Sequence, residues 1–252
     1  MNKINIAGTG GYEIPCAHTL TGGERTVVIV SHGFGSTKES STALMLAHGM
    51  AGHGAGVFAY DFPAHGDSPV DGSMLTVDRC LEDLAAVEQY VRAAAPDARI
   101  CYFGSSFGAY ISLLYVSERP HEGRRVFTRS AAVEMPLLIR NSRTPEQERE
   151  LREHGFILFG AQYGYTRDLK LTQAFADSLD AHDLFARWKP GTAEVCMIHG
   201  DNDQVAPYEA AQRFAVLSGA QLITVPGGDH RLSIPGAPEL VLKSAVDFLL
   251  GK

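Results

Sequence analysis

The stretch ICYFGSSFG at residues 100–108 joins a strand-like apolar run to the pattern Gly-x-Ser-x-Gly, in which Ser106 is the central serine. A helix-like segment, residues 110–116, follows at once. Where a strand turns sharply into a helix, the central side chain projects from the sheet edge, and the glycines avoid collisions with neighbouring backbone. The context predicts a nucleophilic Ser106. The pattern alone is weak in a chain with 26 Gly, so a Gly-rich turn without chemistry stays open.

A second motif, SHGFGS at residues 31–36, follows the first long strand-like run. Its glycines allow backbone N–H groups to face the negative oxygen that develops when a nucleophile attacks a carbonyl. The predicted donors of this oxyanion hole are the N–H groups of Phe34 and of Phe107, the residue after Ser106. The alternative is a His-Gly loop without a catalytic role. The position of the motif before the serine in the chain favours catalysis.

Two later segments, HGDNDQVAP at residues 199–207 and PGGDH at residues 226–230, also follow strand-like runs. They bring carboxylates and an imidazole to the same sheet edge as the serine, and His230 is the predicted base. Asp201 and Asp203 both qualify as the acid that orients His230. Whichever of the two does not have this role would be a turn or helix-capping residue. Asp229 is expected to anchor its loop, because adjacent side chains in a loop usually point apart.

Strand-like and helix-like segments alternate along most of the chain. The strand-like runs are residues 26–30, 56–60, 99–103, 130–133, 194–198 and 221–225. Between them, apolar residues recur at helical spacing, as at Leu81, Leu84, Val87 and Val91. This alternation predicts an α/β fold with a mainly parallel central sheet and helices on both faces. Residues 4–16 instead indicate an antiparallel hairpin at the edge of the sheet.

The alternation lapses over residues 136–188, which we interpret as an inserted cap on a core of residues 1–135 and 189–252. Thr144, followed by Pro and later Gln, predicts the start of a helix in this cap, and Gly155 predicts its end.

Aromatic residues in the second half of the cap are a candidate substrate surface. Two aromatic runs around Gly160 predict a small hairpin over residues 156–165. An insertion at this point of the chain emerges at the carboxyl edge of the sheet, where open α/β sheets bind ligands, so the cap is expected to roof Ser106. For any single ring, the alternative is that it only holds the cap together. The candidate substrate-binding residues are Phe156, Phe159, Gln162, Tyr163 and Tyr165.

These motifs resemble the α/β-hydrolase fold, and more narrowly the bacterial cinnamoyl and feruloyl esterases with their carboxylesterase relatives. The resemblance covers nearly the whole chain and rests on HGFGSTKES at residues 32–40, YDFPAHGDS at residues 60–68, the serine motif and the last two segments. It implies that Ser106, Asp203 and His230 form a catalytic triad, in the chain order of this fold, with Phe34 and Phe107 as oxyanion donors. Ser105 departs from the family pattern, because many relatives have His or another larger residue there.

The composition excludes several classes of partner. A net charge of −7 without a run of Lys or Arg argues against nucleic acid or an anionic membrane. The chain shows no signal-peptide pattern and no long apolar stretch, so a cytoplasmic location is expected. The four cysteines lack C-x-x-C pairing, which predicts buried free thiols, and no metal or organic cofactor is expected. The sequence does not determine the oligomeric state, and a homodimer is one of the open alternatives.

The sequence therefore predicts a serine carboxylic-ester hydrolase that works through an acyl-enzyme. The expected substrates are small-molecule esters with short-chain or hydroxycinnamoyl acyl groups. Two alternatives stay open: an acylaminoacyl or peptidase-like serine hydrolase, and a non-catalytic ligand-binding protein of the same fold.

Overall fold

The computed structural model describes residues 1–160, 165 and 167–251 of the chain. In chain order, the strands are β1 (Asn2–Ala7), β2 (Glu13–His18), β3 (Thr26–Ser31), β4 (Ala55–Tyr60), β5 (Arg99–Ser105), β6 (Arg125–Arg129), β7 (Phe156–Phe159), β8 (Leu169–Thr172), β9 (Glu194–Gly200) and β10 (Gln221–Val225). Eight of them form one sheet in the order β1-β2-β4-β3-β5-β6-β9-β10, and β7 pairs with β8 in a separate small sheet.

The helices fill most of the connections between the strands. They are α1 (Ser41–Ala51), α2 (Val77–Ala94), α3 (Phe107–Glu118), α4 (Met135–Asn141), α5 (Pro145–His154), α6 (Gln173–Asp180), α7 (Leu184–Arg187), α8 (Tyr208–Ser218) and α9 (Ala237–Leu250), with a short 3-10 helix at Gly72–Met74. One apolar cluster takes in α2, α3 and α8, and another takes in α1 and α9. The prediction of helices on both faces of the sheet is confirmed.

The sheet is parallel except at one edge. Strand β1 pairs antiparallel with β2, and β2 pairs antiparallel with β4. From β4 across to β10 each neighbouring pair is parallel, which confirms the predicted mainly parallel sheet with an N-terminal hairpin. Because the parallel strands share one direction, the loops after β3, β5, β9 and β10 all begin at the same edge of the sheet.

The predicted strand at residues 130–133 is wrong. The strand in this part of the sheet is β6, which ends at Arg129. Strand β6 begins and ends with an arginine, so its apolar centre is too short to be recognised as a strand from the sequence. Ser130 has a positive φ of 49° and leaves the sheet there. The apolar residues 131–133 that suggested a strand are instead a buried loop beside the start of α4.

Between β6 and β9 the structure has the predicted helix and a small two-stranded sheet. Helix α5 begins with a capping box at Thr144 and ends at Gly155 in the left-handed conformation, as predicted. Strand β7 pairs with β8. The second aromatic run of the predicted hairpin over residues 156–165 lies outside the described residues, apart from Tyr165. Apolar residues of this region, including Phe175 and Leu179, belong to the same cluster as the core helices. The division into core and cap stays a prediction.

Two other features concern the cysteines and the length of the helices. The four cysteines are all buried and unpaired, as predicted. Within the described ranges, no helix combines the length and the apolar character needed to span a bilayer.

Candidate active site

Ser106 lies in the sharp turn that joins β5 to α3. Its backbone has φ 53° and ψ −114°, a conformation that costs a residue with a Cβ on the order of 1–3 kcal/mol. Its N–H donates to the carbonyl of Arg129 at 3.0 Å, which ties the turn to the neighbouring strand. A Cβ at Gly108 would collide with the carbonyl oxygen of Ser31, so only glycine lets α3 pack this closely on the end of β3.

His230 lies between Ser106 and Asp203. Its Nε2 is 3.0 Å from the Ser106 Oγ, and its Nδ1 is 2.8 Å from Oδ2 of Asp203. Because an ionised carboxylate only accepts hydrogen bonds, Nδ1 carries the proton and Nε2 is the acceptor for the serine hydroxyl. The structure thus brings together the three residues predicted as a triad, in the geometry that a nucleophile, a base and an orienting acid need.

The carboxylate of Asp203 is fully buried and firmly held. Its Oδ1 accepts the N–H groups of Val205 and Ala206, each at 2.8 Å. Burial by itself raises the pKa of Asp203, but hydrogen bonds from His199 and His230 outweigh burial and hold the pKa well below its usual range. Asp203 is therefore ionised at neutral pH and presents a negative charge to the imidazole.

The two other acids considered from the sequence have structural partners. Asp201 accepts the N–H of Gly227 at 2.6 Å and so fastens the loop that leads to His230. Asp229 accepts hydrogen bonds from the N–H and the hydroxyl of Ser233 at 2.8 and 2.7 Å, as expected for a loop anchor. Neither carboxylate has a described hydrogen bond to His230.

His199 is a site residue that the sequence reasoning missed. Its Nε2 lies 3.1 Å from Oδ2 of Asp203 and 2.9 Å from the carbonyl of Ala206. Both neighbours are acceptors, so Nε2 carries the proton and donates to them. The available signal was the position of His199 four residues before Asp203, at the end of β9. A single His in a chain with 10 His gave no reason to single it out.

The loop after β3 runs beside the nucleophile. A Cβ at Gly33 would lie 3.5 Å from the Cβ of Ser106, and the rings of Phe34 and Phe107 contact each other with centroids 5.7 Å apart. Phe107 is the first residue of α3, so its N–H has no acceptor within the helix. Both predicted oxyanion donors therefore flank Ser106. Their role in binding an oxyanion stays a prediction.

A buried imidazole holds this loop in place. His32 donates from Nδ1 to the carbonyl of Gly33 at 2.7 Å, and its Nε2 accepts the N–H of Phe62 at 3.2 Å. Burial lowers the pKa of His32 to about 4. The neutral ring can make both hydrogen bonds at once, whereas a protonated ring loses the acceptor that Phe62 needs.

Lys38 and Asp61 connect the loop after β3 to the loop after β4. Oδ1 of Asp61 accepts the Lys38 N–H at 2.7 Å, and Oδ2 accepts its ammonium at 2.8 Å. The ammonium also pairs with Asp67 at 2.6 Å. Lys38 and Asp61 are both buried, so this pair fixes the two loops relative to each other.

The candidate substrate residues fall in different places. Tyr165 lies against the loop after β3, with its ring centroid 6.0 Å from that of Phe34. Phe159 is only 8% exposed and belongs to the core cluster, and Phe156 packs under the ammonium of Lys170. Their contact with substrate stays a prediction. The remaining candidates, Gln162 and Tyr163, lie outside the described residues.

Phe175 is an aromatic residue near the site that the sequence reasoning did not select. It lies on α6, and its ring centroid is 6.0 Å from that of Phe34 and 6.1 Å from that of Phe107. Its ring is buried in the core, so it supports the loop after β3 from beneath, whereas Tyr165 contacts the same loop and is partly exposed. Among the described residues, no group of three or more His, Cys, Asp and Glu is arranged to hold a metal ion.

Comparison with known families identifies the motifs around Ser106. The family model described as serine aminopeptidase, S33, matches residues 22–153, which is more than half of the chain. The matched residues include the loop after β3 and the turn at Ser106. No curated protein sequence matches the chain significantly.

Solved structures share the whole fold. A protein from Agrobacterium vitis described as a hydrolase has a TM-score of 0.84 at 22% identity, and the match covers 98% of each chain. The mouse α/β hydrolase domain-containing protein 10 has a TM-score of 0.80 at 18% identity, over 100% of this chain and 99% of its own. Est1E from Butyrivibrio proteoclasticus with bound ferulic acid has a TM-score of 0.78 at 19% identity, over 99% and 100%. At these identities the likeness shows the α/β-hydrolase fold alone.

Proposed function

The chain belongs to the serine aminopeptidase S33 family of α/β hydrolases, and from that premise we propose that it is a serine esterase with Ser106 as nucleophile, His230 as base and Asp203 as orienting acid. The observation that carries the proposal is the continuous hydrogen-bonded chain from the Ser106 Oγ through both imidazole nitrogens to the Asp203 carboxylate. A backbone strained at the nucleophile supports it, because such strain is typical of functional sites.

The proposed reaction has two halves. Nε2 of His230 takes the hydroxyl proton as the Ser106 Oγ attacks the ester carbonyl carbon, and the oxyanion that forms accepts the N–H groups of Phe34 and Phe107. Collapse of this intermediate breaks the ester bond, and His230 gives its proton to the departing alcohol. Water then attacks the acyl-enzyme with His230 again as base, which releases the carboxylic acid and restores the serine hydroxyl.

Asp203 stabilises the imidazolium that forms in each half. It stays ionised because hydrogen bonds, two of them from backbone N–H groups, hold its pKa low against the effect of burial. A buried negative charge beside Nδ1 favours the protonated imidazole at the moment when Ser106 loses its proton.

For the substrate we propose esters of short-chain or hydroxycinnamoyl acids. The partly exposed rings of Phe34 and Tyr165, beside the proposed oxyanion hole and backed by the buried ring of Phe175, suit a flat, partly apolar acyl group. The fold likeness to Est1E, whose structure contains ferulic acid, agrees with this proposal. Aminopeptidase or acylaminoacyl activity is the second candidate, because the family description names a serine aminopeptidase.

Covalent labelling and a substrate panel test the proposal. A fluorophosphonate probe is expected to label wild-type protein at Ser106 and to leave S106A unlabelled, with S105A as the matched control that keeps its label. The panel contains nitrophenyl esters of rising acyl length, methyl ferulate and an aminoacyl anilide. Absence of labelling at Ser106 would overturn the proposed mechanism. A best substrate with an acyl chain of about ten carbons or more, or an anilide that outpaces every ester, would overturn the proposed substrate class.

A further inference from the structure

Arg129 meets the nucleophile turn through its backbone. It is the last residue of β6 and lies opposite Ser105 in the parallel register with β5. Its carbonyl accepts the N–H of Ser106 at 3.0 Å. The position of the nucleophile therefore depends on where β6 ends.

The side chain of Arg129 extends from the same point to three other segments of the site. Its Nη1 donates to the Ser105 Oγ at 2.9 Å and lies 3.4 Å from the Oγ1 of Thr42, in the first turn of α1. Its Nη2 donates to the carbonyl of Arg231, the residue that directly follows His230. One planar group thus bonds to the nucleophile turn, to the helix that follows the proposed oxyanion loop, and to the loop that carries the base.

The guanidinium of Arg129 keeps its positive charge in this partly buried position. Burial lowers the pKa of Arg129, and the carboxylates of Asp229 and Asp203 oppose that shift. The guanidinium stays protonated in any case, because its unperturbed pKa is so high. It therefore remains a donor to the Arg231 carbonyl throughout the pH range in which an imidazole base works.

The loop from β10 to α9 also has anchors on either side of its histidine: the Gly228 carbonyl accepts the N–H of Asn202 at 3.1 Å, and Leu232 is buried in the core. Asp201 holds Gly227, before the histidine, and Asp229 bonds within the loop to Ser233. Among the described hydrogen bonds, the one from Arg129 connects the residue next to His230 to the central sheet. Loss of this bond loosens the loop between these anchors, at the point where Nε2 must stay about 3 Å from the serine oxygen.

We propose that Arg129 is a positioning residue that holds the His230 loop at a fixed distance from Ser106, an inference that rests on the proposed function. Arg129 has no part in proton transfer. Its side chain acts through the Arg231 carbonyl on the loop that carries His230, so it affects kcat and leaves substrate binding nearly unchanged.

The matched control is Arg125, at the other end of the same strand. It is also partly buried, pairs with Glu194 at 3.1 Å and donates to the carbonyl of Phe248 at 2.9 Å, far from the nucleophile turn. R129A is expected to lower kcat for a nitrophenyl ester about 10- to 100-fold with little change in KM, whereas R125A is expected to keep kcat. Guanidinium in the buffer is expected to restore part of the activity of R129A and none of that of H230A.

Hydrogen exchange provides a readout that does not depend on turnover. Amides of residues 227–234 are expected to exchange faster in R129A than in wild type, while those of β3 and β5 stay protected. R129K keeps a cation and one donor group, so its kcat and its exchange rates are expected to lie between those of wild type and R129A. If R129A does not fold, R129K replaces it as the test variant.

The outcomes separate the two proposals. An active wild type whose kcat is equally sensitive to R129A and R125A, or indifferent to both, overturns the positioning role and leaves the esterase proposal intact. A wild type that neither labels at Ser106 nor hydrolyses any ester overturns both. A loss in R129A that appears only in KM also overturns the positioning role, because it places Arg129 in substrate binding.

Discussion

Nε2 of His199 lies 3.1 Å from Oδ2 of Asp203, the same carboxylate oxygen that faces Nδ1 of the proposed base. The acid is therefore held from two sides by imidazoles, one of them fully buried. The buried ring fixes the direction of the carboxylate, and its hydrogen bond lowers the pKa of Asp203.

Replacing His199 tests this arrangement. H199F removes the donor at similar size and is expected to lower the free energy of unfolding by about 2 kcal/mol and kcat by about tenfold. H199Q keeps a side-chain N–H and is expected to retain more of both. Urea unfolding and initial rates measure the two quantities, and equal losses in both variants would contradict the role of the hydrogen bond.

Asp203 and Asp201 differ in their partners, and their variants are expected to differ as well. D203N is expected to lower kcat by roughly 10⁴-fold, because it removes the charge that fixes the tautomer of His230. D201N is expected to cost far less, since the described hydrogen bond of the Asp201 carboxylate goes to the N–H of Gly227 and not to His230. Steady-state kinetics on one nitrophenyl ester measures both. A larger loss in D201N would reverse the assignment.

The strained backbone of Ser106 predicts opposite effects on activity and stability. S106A is expected to lower kcat by about 10³-fold or more while the fold persists, and S105A is expected to keep most activity. S106G loses the same hydroxyl but relieves the positive φ of 53°, so it is expected to be more stable than S106A by about 1 kcal/mol. Thermal unfolding of the three variants checks this order. A less stable S106G would show that the turn is not strained.

Asp83 predicts a pH dependence of stability that is separate from catalysis. It is fully buried with Oδ2 2.6 Å from the Tyr12 hydroxyl, and burial raises its pKa from 3.8 to about 7. Between these values the folded protein keeps a proton that the unfolded chain has lost. The free energy of unfolding therefore falls as the pH rises through this window and levels off above about pH 7.

D83N removes this titration. Relative to wild type, it is expected to gain up to about 3 kcal/mol of stability between pH 5 and pH 8. D78N, at a side chain that is 56% exposed on the same helix, is the control and is expected to leave the pH dependence unchanged. Urea unfolding at several pH values gives the comparison. A constant difference between D83N and wild type across this range would refute the assignment.

Tyr165 is expected to contribute to acyl selectivity. Its ring occupies the space where a Cβ of Gly35 would lie, directly on the proposed oxyanion loop. Y165A is expected to lower kcat/KM for methyl ferulate about tenfold more than for an acetyl ester, while labelling of Ser106 persists. Y90A, at a tyrosine that is 39% exposed on α2, is the control. Equal losses for both esters would remove Tyr165 from the acyl site.

The parts of the fold that were predicted correctly from the sequence are those that depend on residues close together in the chain. The turn at Ser106, the capping box at Thr144 and the face of α2 each follow from residues close together in the chain. The strand β6 was misplaced because its flanking arginines look like loop residues. One of them, Arg129, has a role set by contacts with Thr42 and Arg231, which lie 87 and 102 residues away in the chain.

The same limit applies to the candidate site. The triad residues were identifiable because each follows a strand within a recognisable motif. His199 stands at the start of one of these motifs without a role that the motif predicts, and Phe175 lies outside them all. The importance of both comes from what lies beside them in three dimensions. The partner of β7 was also beyond local reasoning, because Leu169–Thr172 contains no aromatic residue to match the predicted pattern.

The contacts of Phe175 have a consequence for making chimeras. Its ring packs on Phe34 and Phe107, so one side of the proposed oxyanion hole rests on a residue of the predicted cap. A graft of residues 136–188 from a relative would replace that ring while retaining both of its partners. Such a hybrid is therefore expected to change in both acyl preference and turnover. A graft that keeps Phe175 leaves the support of the oxyanion hole in place, so a change in its acyl preference can be assigned to the other cap residues.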